Sequence, residues 1–311
     1  MSYTFMKTAI IDFQPRGEVA FVGEQLSRRE RAHAYLELTK PRIATMIVLI
    51  AAAGFYLGSS ARFDYTKFFF ALAGIALLSG GIATLNQFLE RDLDKLMQRT
   101  TMRPLPANRL QARSALIFGL GLTVLGEIVL LICVNPLTAL LGLLTAIGYV
   151  LLYTPLKTRT SLSTWLGAFP GAVPPLIGFA AAQNRLSLFA WVLFAIQFLW
   201  QFPHFLAIAW MYREDYGRAR IKMLPVTEPT GIVAGIQIVF YALLLVPVSL
   251  LPVWLGIGGR FYFVGALALG SLYCWSSVRA ALSSSRDDAR RLLLVSVIYL
   301  PLLFTLLVVN R

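Results

Sequence analysis

Nine apolar runs, each long enough to cross a bilayer as a helix, dominate this chain and fix its class. They cover roughly residues 42–59, 67–89, 113–134, 136–154, 164–182, 187–211, 231–255, 261–281 and 291–309. A hydrocarbon core of about 30 Å takes about 20 residues of helix, and lipid offers no partner to an exposed backbone amide. The expected fold is therefore all-α: a polytopic membrane protein with nine transmembrane helices. Pro170, Pro174 and Pro175 interrupt one run, which membrane helices tolerate where neighbours re-satisfy the backbone. Ahead of the runs lies a polar arm, residues 1–39, carrying Arg16, Arg28, Arg29 and Arg31. It reads as cytoplasmic and partly disordered, with a short amphipathic helix over 28–39. No cleavable signal pattern is visible in it. The membrane domain spans residues 40–311.

The net charge of +13 would suggest nucleic-acid binding in a soluble protein, but here it reads as topology. Of the 28 lysines and arginines, only Arg62, Lys67, Arg185, Arg260 and Arg311 fall on one side when the spans are threaded alternately. The split predicts an N-terminus inside, a C-terminus outside, and two long inner loops, 90–112 and 212–230. The two cysteines, Cys133 and Cys274, lie within apolar runs and read as small buried hydrophobes, not a disulfide.

The chemistry concentrates at the mouth of the second run. Asn86, Glu90 and Asp94 follow one another at i, i+4 and i+8. At about 100° per residue they share one helix face, while Asp92 points elsewhere. Two carboxylates and an amide on one face suit a hard cation such as Mg²⁺, which shares its oxygen ligands with substrate phosphates. Arg99 and Arg103 follow within reach and would hold phosphate oxygens. The second inner loop repeats the device with Asp215 among Arg213, Arg218, Arg220 and Lys222. The two loops would oppose each other across one cytoplasm-facing cavity, because charge at membrane depth is costly and usually works there. Lys157 ends the fourth run and reads either as a diphosphate ligand or as a snorkelling anchor. Lys40 and Arg42 flank Pro41 and read as anchors or as part of the site lining. Glu127 is a mid-membrane acid with no partner in the pattern. His204 reads as a buried neutral histidine or as an iron ligand for a porphyrin, and His33 as a surface residue.

In combination these stretches resemble a known family. Asn86, Glu90-Arg91-Asp92-Leu93-Asp94, Met97, Arg99-Thr100 and Arg103-Pro104 are similar to the first signature of the protohaem IX farnesyltransferase branch of the UbiA-type intramembrane prenyltransferases. Leu38–Arg42, Tyr153–Lys157, Gly171–Gly178, Pro203–Phe205 and Asp215–Val226 match in order, so the resemblance covers about residues 35–310. It implies nine helices around a central cavity open to the cytoplasmic side of a bacterial inner membrane. It implies farnesyl transfer from farnesyl diphosphate to the 2-vinyl group of haem B, with addition of water, and a haem A synthase downstream. By motif position, Asn86, Glu90, Asp94 and Asp215 would hold diphosphate through Mg²⁺. Lys157, Arg99, Arg103, Lys40, Arg42 and Lys222 would bind diphosphate directly, and His204 is the candidate haem contact. Two departures stand out. Met211 and Ala219 occupy the positions four either side of Asp215, where quinone-type relatives carry a second aspartate. Arg220 stands where haem-type sequences often have glycine. Two other readings compete: a prenyltransferase for an aromatic or quinone precursor, and a non-enzymatic porphyrin transporter.

Overall fold

The computed structural model describes residues 26–59, 62–228 and 230–310. Most of the polar arm lies outside them. Among the described residues there is no strand, and nine helices are long and apolar enough to cross a membrane. A short helix, α1 (Arg28–Leu38), precedes them. The spanning helices are α2 (Pro41–Gly58), α3 (Tyr65–Asp94), α4 (Ala112–Cys133), α5 (Pro136–Leu156), α6 (Ser163–Gln183), α7 (Leu188–Met211), α10 (Ile232–Trp254), α11 (Arg260–Ser283) and α12 (Arg286–Val309). Between α7 and α10 lie the short helices α8 (Arg213–Arg218) and α9 (Leu224–Thr227). The runs read from sequence agree with these spans to within a few residues.

Local chemistry explains the boundaries. Ser27 caps α1 in a reciprocal box with Glu30, its hydroxyl accepting from the Glu30 N–H while the Glu30 carboxylate accepts from the Ser27 N–H. Asp64 caps α3, Asn135 caps α5, Ser187 caps α7 and Ser285 caps α12, each side chain accepting a backbone N–H of the first turn. Pro136 follows Asn135 at the first helical position, where its missing donor costs nothing. At Val173 α6 breaks into two helical pieces, with Pro174 opening the second.

The α3 helix has 30 residues, about 45 Å at about 1.5 Å per residue, against a hydrocarbon core of about 30 Å. Its last turns therefore extend past the apolar layer and carry Asn86, Glu90 and Asp94 into the region of the loops.

The bundle packs through small residues. The second half of α6 lies along α2 so closely that a Cβ at Gly178 would overlap the carbonyl of Ala51, and one at Gly54 the carbonyl of Pro175. Gly81 and Gly126 do the same between α3 and α4. Close backbone approach of this kind replaces the hydrophobic drive that lipid cannot supply. On the other side α7, α10, α11 and α12 enclose Leu193, Leu245, Leu292 and three buried tyrosines. Each tyrosine hydroxyl is bonded: Tyr262 to the Ser249 carbonyl at 2.6 Å, Tyr299 to the Ser249 hydroxyl at 2.8 Å, and Tyr273 to the Trp200 carbonyl at 2.8 Å. Cys133, read as buried, is exposed on α4, and Cys274 is half-buried with its thiol on the Ala242 carbonyl. Neither is paired. Glu127 keeps its place in α4, where its buried Oε1 has no hydrogen-bond partner and lies against Gly142 of α5.

Helix α1 is docked on the membrane domain. Ala34 and Leu38 pack with Leu105, Leu110 and Ala115, the Glu37 carboxylate pairs with Arg109, and the Leu38 carbonyl accepts from Gln87 Nε2 at 2.9 Å. The expected arm boundary at residue 39 thus passes between two packed helices.

Candidate active site

The end of α3 opens onto a cavity of about 540 Å³. Asn86, Glu90 and Asp94 line it, and all three are buried. Each meets a cation from a different part of the chain. Lys40 Nζ donates to Asn86 Oδ1 at 3.0 Å, Lys157 Nζ to Glu90 Oε1 at 2.6 Å, and Arg103 Nη1 to both Asp94 oxygens at 2.9 and 2.7 Å. Asp92 faces outward in exposed pairs with Arg91 and Lys95, as the helical spacing requires.

The cations are placed by local backbone features. Lys40 has φ 50°, in the left-handed region, immediately before Pro41. A non-glycine residue there is strained by about 1–3 kcal/mol, and the turn aims its side chain back at Asn86. Burial and the adjacent Arg103 push the Lys40 pKa down to about 7. Lys157 follows a π-helical segment, Gly148–Tyr153, at the end of α5. Thr154 donates both its N–H and its hydroxyl to the Tyr149 carbonyl, the latter at 2.8 Å, and accepts from Asn86 Nδ2 at 3.2 Å. The wider turn brings Tyr149, Tyr153 and Lys157 to the cavity together. Lys157 Nζ lies 4.4 Å from the Tyr153 ring centroid. Burial opposes its charge, but Tyr153 and the Glu90 carboxylate outweigh that and hold its pKa above the ordinary lysine range.

Arg99 and Arg103 come from the loop after α3. Arg99 also lines the cavity, stacked against Tyr212 and Tyr216 at 4.9 and 5.8 Å. The remaining wall is largely apolar, with Ile43, Met97, Met102, Phe205, Ile208, Ile221 and Met223. Gln87, Tyr149, Tyr153 and Tyr216 line the cavity without having been singled out from sequence. The i, i+4, i+8 spacing of Tyr149, Tyr153 and Lys157 was the one signal that could have found two of them.

Four expected site residues lie elsewhere. Arg42 is exposed and outside the lining, two residues past the turn that turns Lys40 inward. Lys222 offers its backbone, its N–H donating to the Lys157 carbonyl at 2.7 Å, while its side chain is exposed. The Asp215 carboxylate is buried outside the lining, on the backbone of the other loop. His204 faces α12: its Nδ1 lies 2.7 Å from Ser296 Oγ, and Trp200 stacks on its ring at 4.6 Å. Ser296 spends its one proton on the Leu293 carbonyl at 2.6 Å, so His204 Nδ1 is the donor in that pair. Arg220 has φ 55°, the conformation for which glycine is favoured.

The donor set fits a hard divalent cation. One amide and two carboxylates on one helix face, all buried and each bonded to a lysine or arginine, could supply part of a ligand sphere. No group of three or more His, Cys, Asp or Glu poised for a metal occurs among the described residues. Mg²⁺ uses such incomplete sets, taking its remaining ligands from phosphate and water.

Known proteins agree with this architecture. The model of the UbiA prenyltransferase family matches residues 47–304. A protohaem IX farnesyltransferase of Solibacter usitatus is 48% identical over 286 residues, covering 89% of this chain and 98% of the relative. Enzymes of the same description from Koribacter versatilis and Aquifex aeolicus are 44% and 37% identical, each over 89% of this chain, and 93% and 94% of the relatives are covered. Among solved structures, a digeranylgeranylglyceryl phosphate synthase superposes with a TM-score of 0.74 at 17% identity, over 90% of this chain and 98% of the other. A UbiA homologue from Archaeoglobus fulgidus, bound to geranyl diphosphate and Mg²⁺, gives 0.59 at 16% identity, over 89% and 99%. The solved structures share the fold, the relatives share sequence along nearly their whole length, and the chain belongs to the UbiA prenyltransferase family.

Proposed function

We propose that this chain transfers a farnesyl group from farnesyl diphosphate to the 2-vinyl group of haem B, with addition of water, giving haem O and diphosphate. The observation that carries this reading is the buried row Asn86, Glu90 and Asp94, met by Lys40, Lys157 and Arg103 at the head of an apolar cavity. The near full-length match to relatives described as protohaem IX farnesyltransferases supplies the acceptor. Asn86, Glu90 and Asp94 are the residues that would hold Mg²⁺. Bound there, the ion would stabilise the charge that develops on the departing diphosphate.

The side chains divide the remaining work. Lys157, Arg103 and Lys40 have carboxylate or amide partners in the substrate-free protein and would exchange them for diphosphate oxygens. Arg99 extends this cationic wall toward the loops. Breaking the farnesyl C–O bond leaves an allylic cation, which the apolar wall shields from water. The faces of Tyr149 and Tyr153 would stabilise that cation. The vinyl carbon of haem B attacks it, forming the C–C bond. Water then adds to the resulting porphyrin-stabilised cation and releases a proton. The chemistry needs no strong base, and the site offers no Ser-His-Asp arrangement. Haem A synthase would consume the product.

The bacterial relatives favour an inner-membrane location, and the charge split supports an orientation with the N-terminus and the cavity mouth in the cytoplasm and the C-terminus outside. Reporter fusions after Arg103 and Arg220 should label as cytoplasmic; an external signal at either would overturn the orientation. For the activity, purified protein with haem B, farnesyl diphosphate and Mg²⁺ should yield a haem heavier by one farnesyl group plus water. Parallel reactions with 4-hydroxybenzoate should return it unchanged. Prenylation of the benzoate with intact haem B would refute the acceptor and keep the prenyl transfer.

A further inference from the structure

The loop between α3 and α4 is mostly turns, and most of its backbone donors bond within it. The N–H groups of Leu96, Met97, Thr100, Thr101 and Arg103 bond to carbonyls within the α3 end and the loop. Those of Gln98 and Arg99 do not. Both instead reach across to α8: Gln98 N–H donates to Asp215 Oδ1 at 3.1 Å and Arg99 N–H to Asp215 Oδ2 at 3.3 Å. Arg218 pairs with Oδ1 as well. A carboxylate seated on two consecutive backbone donors, with an arginine beside it, has its bonding capacity largely taken. Asp215 is 7% exposed and does not line the cavity.

Around this contact the two loops are laced together. Met97 packs with Ala209, Ala219, Ile221 and Met223. The Arg99 guanidinium lies over Tyr212 and Tyr216, and its Nη2 donates to the Tyr216 hydroxyl at 3.3 Å. Four residues further on, Arg103 grips Asp94. The backbone position of Gln98 and Arg99 therefore sets where both arginines stand.

We propose that Asp215 is a positioning residue that fastens the first loop to the second and so holds Arg99 and Arg103 at the cavity, and that it is not a metal ligand. This rests on the diphosphate reading above. It also explains why one acid suffices in this loop, with Met211 and Ala219 where a second would stand. A clamp needs two oxygens on two amides, not a pair of carboxylates.

The test uses full-length protein in nanodiscs, the variants Asp215→Asn and Asp215→Glu, and the unreactive analogue farnesyl thiodiphosphate. In both variants, hydrogen exchange at Gln98 and Arg99 without ligand should rise at least ten-fold, while exchange in α7 and α12 stays at the parent level. Binding of the analogue at saturating Mg²⁺ should weaken about ten-fold, and the Mg²⁺ concentration for half-maximal binding should stay within two-fold of the parent. Arg99→Gln should weaken binding similarly without raising exchange at residue 98. The double variant Asp215→Asn/Arg99→Gln should lose clearly less than the two single losses combined, since both act in part through the Arg99 guanidinium. Unchanged exchange with a ten-fold higher Mg²⁺ requirement in Asp215→Asn, relieved in Asp215→Glu, would make Asp215 a metal ligand and overturn the proposal. Additive losses would also overturn it. Should one variant fail to fold, the other still separates the two roles, because glutamate keeps the charge and cannot match both amides. If the parent does not bind the analogue, the diphosphate reading fails, and the exchange data still decide the clamp.

Discussion

Removing Lys157 should cost more stability than removing its partner, and the structure says why. Lys157 Nζ and Glu90 Oε1 are 2.6 Å apart, with side-chain exposures of 13% and 8%. Lys157 is the one hydrogen-bond partner of the Glu90 carboxylate among the described residues. In Lys157→Met the carboxylate is left buried and unpaired, which costs about 3–5 kcal/mol for a closed interior. Here the pair borders a cavity and is not fully enclosed, so the lower end, about 3 kcal/mol, is the working figure. In Glu90→Gln the amide still accepts from Lys157, and the Tyr153 ring at 4.4 Å still faces the ammonium. That loss should be about 1–2 kcal/mol, near the value of a charged hydrogen bond. With both replaced, no charge of the pair remains, and the double variant should lose at least 1 kcal/mol less than the sum of the single losses. Reversible unfolding in mixed dodecyl maltoside and SDS, followed by tryptophan fluorescence, measures all three. Equal single losses that simply add would refute the argument, because they would mean that each side chain acts through packing alone.

Other outcomes follow from the same geometry. Asp94→Asn should cut turnover at least a hundred-fold and weaken farnesyl thiodiphosphate binding in Mg²⁺, since it removes a metal-binding charge and half of Arg103's anchor; near-parent turnover would remove Asp94 from the site. Gly178→Val should lower insertion-competent yield and destabilise by about 3 kcal/mol or more, because the Ala51 carbonyl it meets is backbone and cannot step aside; a parent-like melting temperature would show that α2 and α6 can separate freely. His204→Gln should leave the absorption spectrum of bound haem unchanged and destabilise by about 1 kcal/mol through the lost Ser296 bond; a shifted haem band would make it an iron ligand. Arg220→Gly should be neutral or stabilising by up to about 1 kcal/mol, relieving a left-handed backbone; a clear loss would show that the arginine side chain itself is needed.

The membrane architecture was legible because bilayer thickness and backbone satisfaction leave little choice. The face shared by Asn86, Glu90 and Asp94, and the outward turn of Asp92, followed from helical geometry alone. The partners of those residues did not. Asp215 and Gln98 are 117 residues apart, and neither loop carries a periodicity that would pair them. A basic residue at a membrane edge looks the same whether it turns inward, as Lys40 does on a left-handed backbone, or outward, as Arg42 does. His204 was ambiguous for a related reason: a histidine in an apolar run announces burial, but the serine that accepts its hydrogen bond is 92 residues away. The seat of α1 on the loop after α3 depended on Ala34 and Leu38, too sparse an apolar pattern to show docking.

The π-helical turn in α5 can be restated as an indel. A regular helix through residues 148–153 would need one residue fewer for the same advance, so this span carries an insertion absorbed without a loop. Leu151 and Leu152 face outward there, so the extra residue need not disturb the cavity side. Removing one of them would close the wide turn into regular helix with the same advance, so Lys157 would still face Glu90. Removing Pro155 or Leu156 instead, where the helix is regular and nothing absorbs the change, would swing Lys157 by about 100° away from Glu90, while Tyr149 and Tyr153, before the deletion, would stay in place. The reading frame of the helix, and not only the identity of its residues, is thus part of the site.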